Sequence, residues 1–200
     1  MFSGIVQAIG VIEKVEPLEA GVRLTIDSGS LDLSDTAIGD SIAINGACMT
    51  ATLVTGNRFT VDVSRESLKV TAGLGAPGKV NLEKAMALGD RIDGHLVTGH
   101  VDGIGEVTAF DPLGESTRLT VRAPPELARY IARKGSITVD GVSLTVNSVV
   151  DQGSGTTFEV NLIPHTLLVT TLSRLSPGAK LNLEIDLVAR YIERMLSASR

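Results

Sequence analysis

Apolar and polar residues alternate along most of this chain in short, β-branched runs. AIGVIEKVE (8–16), VRLTID (22–27), SIAI (41–44), CMTATLV (48–54), RFTVDV (58–63) and KVNLE (79–83) succeed one another in the first half, and counterparts follow in the second. Alternation with period two marks a strand with one buried face, and the Gly, Asp, Asn and Pro between runs mark turns. The pattern predicts about six short strands per half, closed into a barrel. Asn45-Gly46 and Asp140-Gly141 each join two such runs, which predicts tight two-residue hairpins with positive φ. Helix is minor. Residues 126–133 (ELARYIAR) place Leu127, Tyr130 and Ile131 at helical spacing, and 67–70 predict one further turn. The only long helix is predicted at 187–196, where Leu187, Val188, Tyr191, Ile192, Met195 and Leu196 fall in two adjacent i, i+4 columns. Such a helix packs on its own barrel or on copies of itself; its absence from the first half favours oligomerisation.

The two halves say nearly the same thing. GIVQAIG, starting at Gly4, returns as GHVDGIG at Gly99, and SIAINGACMT at Ser41 returns as SITVDGVSLT at Ser136, both 95 positions on. FTVDVSRESLKVT against FEVNLIPHTLLVT, and KVNLE against KLNLE, have drifted to slightly longer offsets through small loop insertions. Solenoid repeats run ~20–50 residues, so a period this long means two complete domains of one fold. The expected architecture is all-β: two homologous six-stranded antiparallel β-barrels in tandem, at 1–88 and 97–186, then a C-terminal α-helix at 187–200. Residues 87–96, containing GDRIDGHL, read as a polar linker.

Composition narrows the function. Apolar residues make up 43% of the chain but aromatics only 3%, with no Trp, so the cores must be aliphatic. A net charge of −5 with scattered Lys and Arg argues against nucleic acid as partner. No apolar run approaches a membrane span and the N-terminus lacks signal-peptide character, so no membrane partner and a cytoplasmic location are expected. A single cysteine, Cys48, excludes an intrachain disulfide, and three dispersed histidines offer no metal-ligand spacing.

With no phosphate loop, metal motif or nucleophile elbow present, chemistry must come from hydroxyls, a few charges and the backbone. Each half offers a hydroxyl-rich hairpin: Ser41, Cys48 and Thr50 in the first, Ser136, Ser143 and Thr145 in the second. Positions 48 and 50, like 143 and 145, share one face of a strand, which suits a heterocycle edge or a polyol. For any single residue an exposed surface hydroxyl is the simpler reading; recurrence in both halves favours a shared binding role. The match of Cys48 to Ser143 argues against a nucleophilic thiolate.

The segments MFSGIV, SIAINGACMT, GHLVTGHVDG, KGSITVDGVSLTVN, LIPHT and LNLEIDLVARYIER, in that order, resemble the riboflavin synthase family over essentially the whole chain. The resemblance implies a homotrimer held by C-terminal helices, a possible lumazine synthase capsid as partner, and one bound 6,7-dimethyl-8-ribityllumazine per barrel. It implies catalysis between the N-terminal barrel of one subunit and the C-terminal barrel of the next, without a redox or metal cofactor. By motif match, the N-terminal pocket would use Gly4, Ile5 and Val6, then Ser41, Cys48, Met49 and Thr50, then Asp62, Val63, Ser64, Arg65, Glu66 and Ser67. The C-terminal pocket would use Gly99, His100 and Val101, then Lys134, Ser143, Leu144 and Thr145, then Asn161, Leu162, Ile163, Pro164, His165 and Thr166. Ser3 and Thr98 exchange Thr and Ser relative to the commonest family forms, and neither change removes a hydroxyl.

Two like pockets could hold two like substrates face to face, one donating a four-carbon unit and one accepting it. Identical pockets cannot assign different roles, so the chemistry is expected where the halves disagree: Ile5 against His100, Gly39 against Lys134, Asn45 against Asp140, Cys48 against Ser143, Glu66 against His165. The C-terminal barrel is therefore expected to be the more reactive, with His100 and Ser143 moving protons or activating a nucleophile at ring carbon 7. Lys134 and Asp140 are expected to orient. Asp186 caps the last helix by position, and its family counterpart is held to be catalytic; Phe2 reads as core or as a gate. The rival readings are a non-catalytic lumazine- or flavin-binding antenna protein and a barrel that binds nucleic acid or protein.

Overall fold

The computed structural model describes residues 1–152 and 155–198. The first half forms β1 (Ala8–Leu18), β2 (Gly21–Asp27), β3 (Ser41–Ile44), β4 (Ala47–Thr55), β5 (Arg58–Ser64), α1 (Arg65–Val70) and β6 (Gly78–Lys84). The second forms β7 (Gly103–Leu113), β8 (Ser116–Ala123), β9 (Ser136–Val139), β10 (Val142–Gln152), β11 (Gly155–Leu162), α2 (Pro164–Val169) and β12 (Lys180–Ile185), and α3 (Leu187–Ala198) follows. Each set of six strands closes into an antiparallel barrel, ordered β1-β2-β5-β4-β3-β6 and, equivalently, β7-β8-β11-β10-β9-β12. Closure leaves no unpaired edge to recruit other chains. The bulges repeat as well: register shifts at Ile12/Lys14 and Ala51/Leu53 recur at Val107/Ala109 and Val146/Ser148. A bulge adds twist, and these four bend long strands around small barrels.

Alternation puts aliphatic side chains inside. Ile12, Leu24, Ile26, Ile42, Ile44, Val61 and Leu82 surround Phe59 in one core, and Leu119, Val121, Ile137, Val139, Val160 and Leu183 surround Phe158 in the other. Each such side chain contributes roughly 1.5–3 kcal/mol on burial.

The two hairpin turns have the expected left-handed backbone, with φ of 46° and 81° at Asn45-Gly46 and the same values at Asp140-Gly141. They meet back to back: a Cβ on Gly46 would lie 2.7 Å from the Gly141 nitrogen, and one on Gly141 would lie 2.8 Å from the Gly46 nitrogen. Around this contact the barrels exchange hydrogen bonds with near two-fold symmetry. Asn81 donates to the Asp140 carbonyl (2.8 Å) and accepts from the Thr171 N–H (2.8 Å). Asn182 donates to the Asn45 carbonyl (2.9 Å) and accepts from the Ala72 N–H (2.7 Å). Both amides are buried, so these bonds prevent a desolvation cost of ~1–3 kcal/mol per stranded group.

Two local expectations change. The segment expected as helix at 126–133 is a 3-10 helix at Pro125–Tyr130, opened by proline and buried through Leu127. A 3-10 turn rises farther per residue than an α-turn, which lets this short connection span the corner between β8 and β9. α2, in the LIPHT stretch, was not marked by apolar spacing; Pro164 starts it, in the position where a missing N–H costs nothing. Among the described residues no helix is long and apolar enough to cross a membrane.

Gly46→Ala is expected to cost more than Gly56→Ala. Both glycines are left-handed, but nothing lies within 4 Å of a Cβ on Gly56. The Gly56 change then carries only the backbone strain of about 1–2 kcal/mol, whereas the Gly46 change also pushes the barrels apart. Equal losses of melting temperature in the two variants would contradict the turn-to-turn contact.

Candidate active site

A cavity opens at the hairpin of the N-terminal barrel, its cup, and the equivalent surface at the C-terminal hairpin, that barrel's cup, is built in the same way; each takes part of its wall from the other half. In the N-terminal cup, Ala47, Cys48 and Met49 of β4, Ser67 and Val70 of α1, Thr71, and then Gly99, His100 and Val101 line a cavity of about 190 Å³. The Gly99 carbonyl accepts the Cys48 N–H at 2.8 Å, and Val101 packs on the N-terminal core. In the C-terminal cup the Gly4 carbonyl accepts the Ser143 N–H at 2.8 Å, and Val6 packs on the C-terminal core. Both glycines are left-handed, with φ of 77° and 78°. A Cβ on Gly4 would meet Ser143 Cβ at 2.7 Å, and one on Gly99 would meet Cys48 Cβ at 2.6 Å. The motif match grouped Gly4, Ile5 and Val6 with Cys48, and Gly99, His100 and Val101 with Ser143; the structure joins them crosswise.

The crossing segments are tied to each other and to buried carboxylates. Phe2 and Val97 form an antiparallel bridge (2.8 and 3.0 Å). Phe2 is fully buried beside Val97 and Ala43, with Cys48 packed against that cluster, so it supports the wall. Glu83 accepts from Ser3 N, Ser3 Oγ and Gly4 N at 2.7, 2.7 and 3.0 Å. Glu184 accepts from Thr98 N, Thr98 Oγ1 and Gly99 N at the same three distances. The Ser3 and Thr98 hydroxyls thus do the same work. Burial raises both carboxyls above their ordinary range, against the pull of those donors.

The residue that reading the sequence missed is His95. Its Nδ1 lies 2.7 Å from Ser143 Oγ and its Nε2 3.4 Å from Thr138 Oγ1. With the proton on Nε2, Nδ1 is free to take the Ser143 proton, the geometry of a base and its hydroxyl. Burial lowers the His95 pKa, and the Asp186 carboxylate acts in the opposite sense. A neutral imidazole is the form that accepts a proton. Gly94 makes the approach possible, since a Cβ there would lie 2.1 Å from the Ser3 carbonyl oxygen and 2.9 Å from Ser143 Cβ. The only sequence signal was the place of His95 inside GHLVTGHVDG, and its polar surroundings read as linker.

The other expected site residues divide. His100 is exposed at the rim of the cavity that contains Cys48. Met49 and Leu144 turn into the cores, as do Val63 and Leu162, while Thr50 and Thr145 are exposed. Ser41 pairs with Thr50 across the hairpin. Asp62 is held by Arg23 in a two-point ion pair (2.7 and 2.8 Å) on the barrel surface. Ser64 caps α1 by accepting the Ser67 N–H, Arg65 donates to the Glu19 carbonyl, and Glu66 pairs with Lys69. Of that stretch only Ser67 lines the cavity. In the second half Asn161, Ile163, Pro164 and His165 are exposed and Thr166 is half-buried; its carbonyl accepts Thr170 Oγ1 at 2.7 Å, as Ser67 does from Thr71. Ile5 is 45% exposed. Lys134 is exposed in a left-handed turn, φ 69°. Asp186 caps α3 by accepting the Val188 N–H (2.9 Å).

Asp140 lies in the contact between the barrels, accepting the Asn182 N–H at 2.7 Å as Asn45 accepts the Asn81 N–H at 2.8 Å. Burial pushes its carboxyl up to about 7.

A family model described as Lumazine binding domain matches residues 3–85 and 98–186. The chain is similar to the riboflavin synthase of Photobacterium phosphoreum, at 42% identity over 98% of this chain and 89% of that one. It is also similar to the riboflavin synthase of Mycobacterium bovis, at 44% identity over 100% of both chains, and to that of Bacillus subtilis at 41%, over 98% and 90%. The fold is similar to that of LumP in its complexes with riboflavin and with 6,7-dimethyl-8-(1'-D-ribityl) lumazine. Those structures give TM-scores of 0.83 and 0.80 at 24% identity, covering 92% of this chain and 99% of theirs.

Two pH experiments follow from the buried groups. A carboxyl raised on folding stabilises fully below its unfolded pKa and loses that contribution as pH rises through about 7. Asp140→Asn, which copies Asn45, is therefore expected to gain melting temperature over the wild type as pH rises from about 5 to 8; a pH-independent difference would contradict the burial cost. His95 has the opposite sign: its contribution is present above the ordinary value of 6.5 and is lost as pH falls through its lowered value. Its imidazole proton resonance should titrate with a midpoint below 6.5, and a midpoint at or above that value would remove the buried base.

Proposed function

This chain belongs to the riboflavin synthase family, with two Lumazine binding domains, and from that premise we propose that it makes riboflavin from two molecules of 6,7-dimethyl-8-ribityllumazine. In this reading it is a transferase. One lumazine gives up ring carbons 6 and 7 with their methyls and leaves as 5-amino-6-(ribitylamino)uracil. The other adds those four carbons to its own carbons 6 and 7 and their methyls, closing the third ring. The atoms of two substrates equal those of the two products, so no outside oxidant or reductant enters.

The observation that carries the reading is the pair of matched hairpin sites, of which one lines a cavity and the other holds a histidine-bonded hydroxyl. Two rings held face to face turn an encounter of three bodies into a positioned reaction. The anion formed at the methyl on carbon 7 spreads through the pteridine, so the protein must chiefly hold the ring and move protons. Ser143 with His95 suits that work in the C-terminal cup. Cys48, Ser67 and His100 face the second ring in the N-terminal cup, and Ser41, Thr50, Thr145, Asn161 and Thr166 offer hydroxyls and an amide to the ribityl chains. Asp186 favours the imidazolium that forms when His95 takes a proton, Lys134 orients from the rim, and Asp140 acts through the joint between barrels.

The same reading makes the protein a homotrimer in the cytoplasm, with a lumazine synthase capsid as a candidate partner. α3 supports the trimer: Val188, Tyr191, Ile192 and Leu196 are each more than half exposed along one stripe, an apolar surface suited to another copy of itself. A working site would then lie between the N-terminal cup of one subunit and the C-terminal cup of the next. A non-catalytic binder is not favoured, because the synthase relatives at 40–44% identity lie well above the 24% of LumP.

Incubation of the protein with the lumazine is expected to give flavin absorbance with turnover. A stoichiometric complex without product would instead mark a binding protein. Ser143→Ala and His95→Ala should each lower kcat by about 10²–10⁴-fold, and Cys48→Ala by less than about 10-fold. Normal turnover in both of the first two, with loss in Cys48→Ala, would exchange the roles of the barrels.

A further inference from the structure

We infer that Glu83, a carboxylate of the N-terminal barrel, is the positioning residue for the His95–Ser143 pair of the C-terminal cup; this rests on the function proposed above. Glu83 is the penultimate residue of β6 and is 4% exposed. Its three donors all come from two consecutive residues, Ser3 and Gly4. The carbonyls of those same two residues both point to the other barrel's chemistry. Ser3 O accepts the His95 N–H at 3.0 Å, and Gly4 O accepts the Ser143 N–H at 2.8 Å. One dipeptide therefore holds the backbone of the base and the backbone of the hydroxyl at once, and Glu83 takes up every N–H and O–H on its other side. The 2.7 Å separation of His95 Nδ1 from Ser143 Oγ is set by that clamp.

Glu184 completes the crosswise arrangement. It grips Thr98 and Gly99, and Gly99 O accepts the Cys48 N–H. Each carboxylate thus serves the cup of the barrel to which it does not belong. Charge matters as much as shape. An ionised carboxylate accepts all three bonds, whereas an amide of the same size turns its NH₂ toward an N–H or O–H donor that it cannot accept.

Glu83→Gln and Glu184→Gln separate the two clamps. Cys48 is the single cysteine and lines the N-terminal cup, so protection of its thiol from a maleimide by added 6,7-dimethyl-8-ribityllumazine reads occupancy of that cup alone. Glu83→Gln is expected to lower kcat about 100-fold while the lumazine concentration that protects Cys48 stays within about 2-fold of wild type. Glu184→Gln should raise that concentration about 10-fold. The inference is overturned if Glu83→Gln turns over like the wild type, or if it shifts Cys48 protection as far as Glu184→Gln does.

If circular dichroism shows that Glu83→Gln does not fold, Ser3→Ala and Ser3→Thr carry the test. Ser3→Ala should lose about 10-fold in kcat with unchanged Cys48 protection, and Ser3→Thr, which keeps the hydroxyl, should restore it. Equal kcat in the two would overturn the clamp. A wild type that forms no flavin sinks the proposed reaction instead, and the crosswise assignment is then decided by Cys48 protection in the two glutamine variants.

Discussion

The architecture depends on how closely two β-turns can approach. Gly46 and Gly141 sit turn against turn with no room for a Cβ on either, and each also needs the left-handed backbone that glycine adopts without strain. At that separation the Asn81 and Asn182 amides reach main-chain partners in the opposite barrel, and a short segment leaving one barrel reaches the hairpin of the other. A wider joint would strand two buried amides and leave both cups without a wall. The hydrophobic cores make the barrels; the joint makes the site.

Within this frame the two halves keep the same parts and differ where chemistry needs them to. Strand order, bulges, carboxylate anchors and the Ser67–Thr71 and Thr166–Thr170 caps are repeated nearly atom for atom. The thiol of Cys48 is replaced by the hydroxyl of Ser143, and it is the hydroxyl that gains a buried imidazole. Asn45 becomes Asp140 in the same turn with the same backbone partner, exchanging a neutral side chain for one whose ionisation is costly in that setting.

Much of this was legible in the chain. Period-two alternation and the Asn-Gly and Asp-Gly pairs located the strands and hairpins because those signals are local and each follows from backbone sterics. The long offset between repeats gave two barrels. The bulges were not legible, since an extra residue in a strand leaves no mark in composition, and α2 was hidden because Pro164 reads as a breaker. The cups were half legible. The residues flanking Cys48 and Ser143 were found as motifs, but each motif looks self-contained, and only three-dimensional contact shows that the segments cross. That crossing moved His100 to the first cup and brought His95 out of what read as a linker. Asp62 was named for its place in the motif, and only the structure shows its carboxylate paired with Arg23 at the surface.

The bridge between Phe2 and Val97 has a mechanical corollary. The strips of backbone that wall the two cups are laced to each other by a reciprocal pair of hydrogen bonds, so neither slides without dragging its twin. Duplication thereby yields more than a second receptacle: it yields two receptacles whose walls are fastened together by one short knot of main chain.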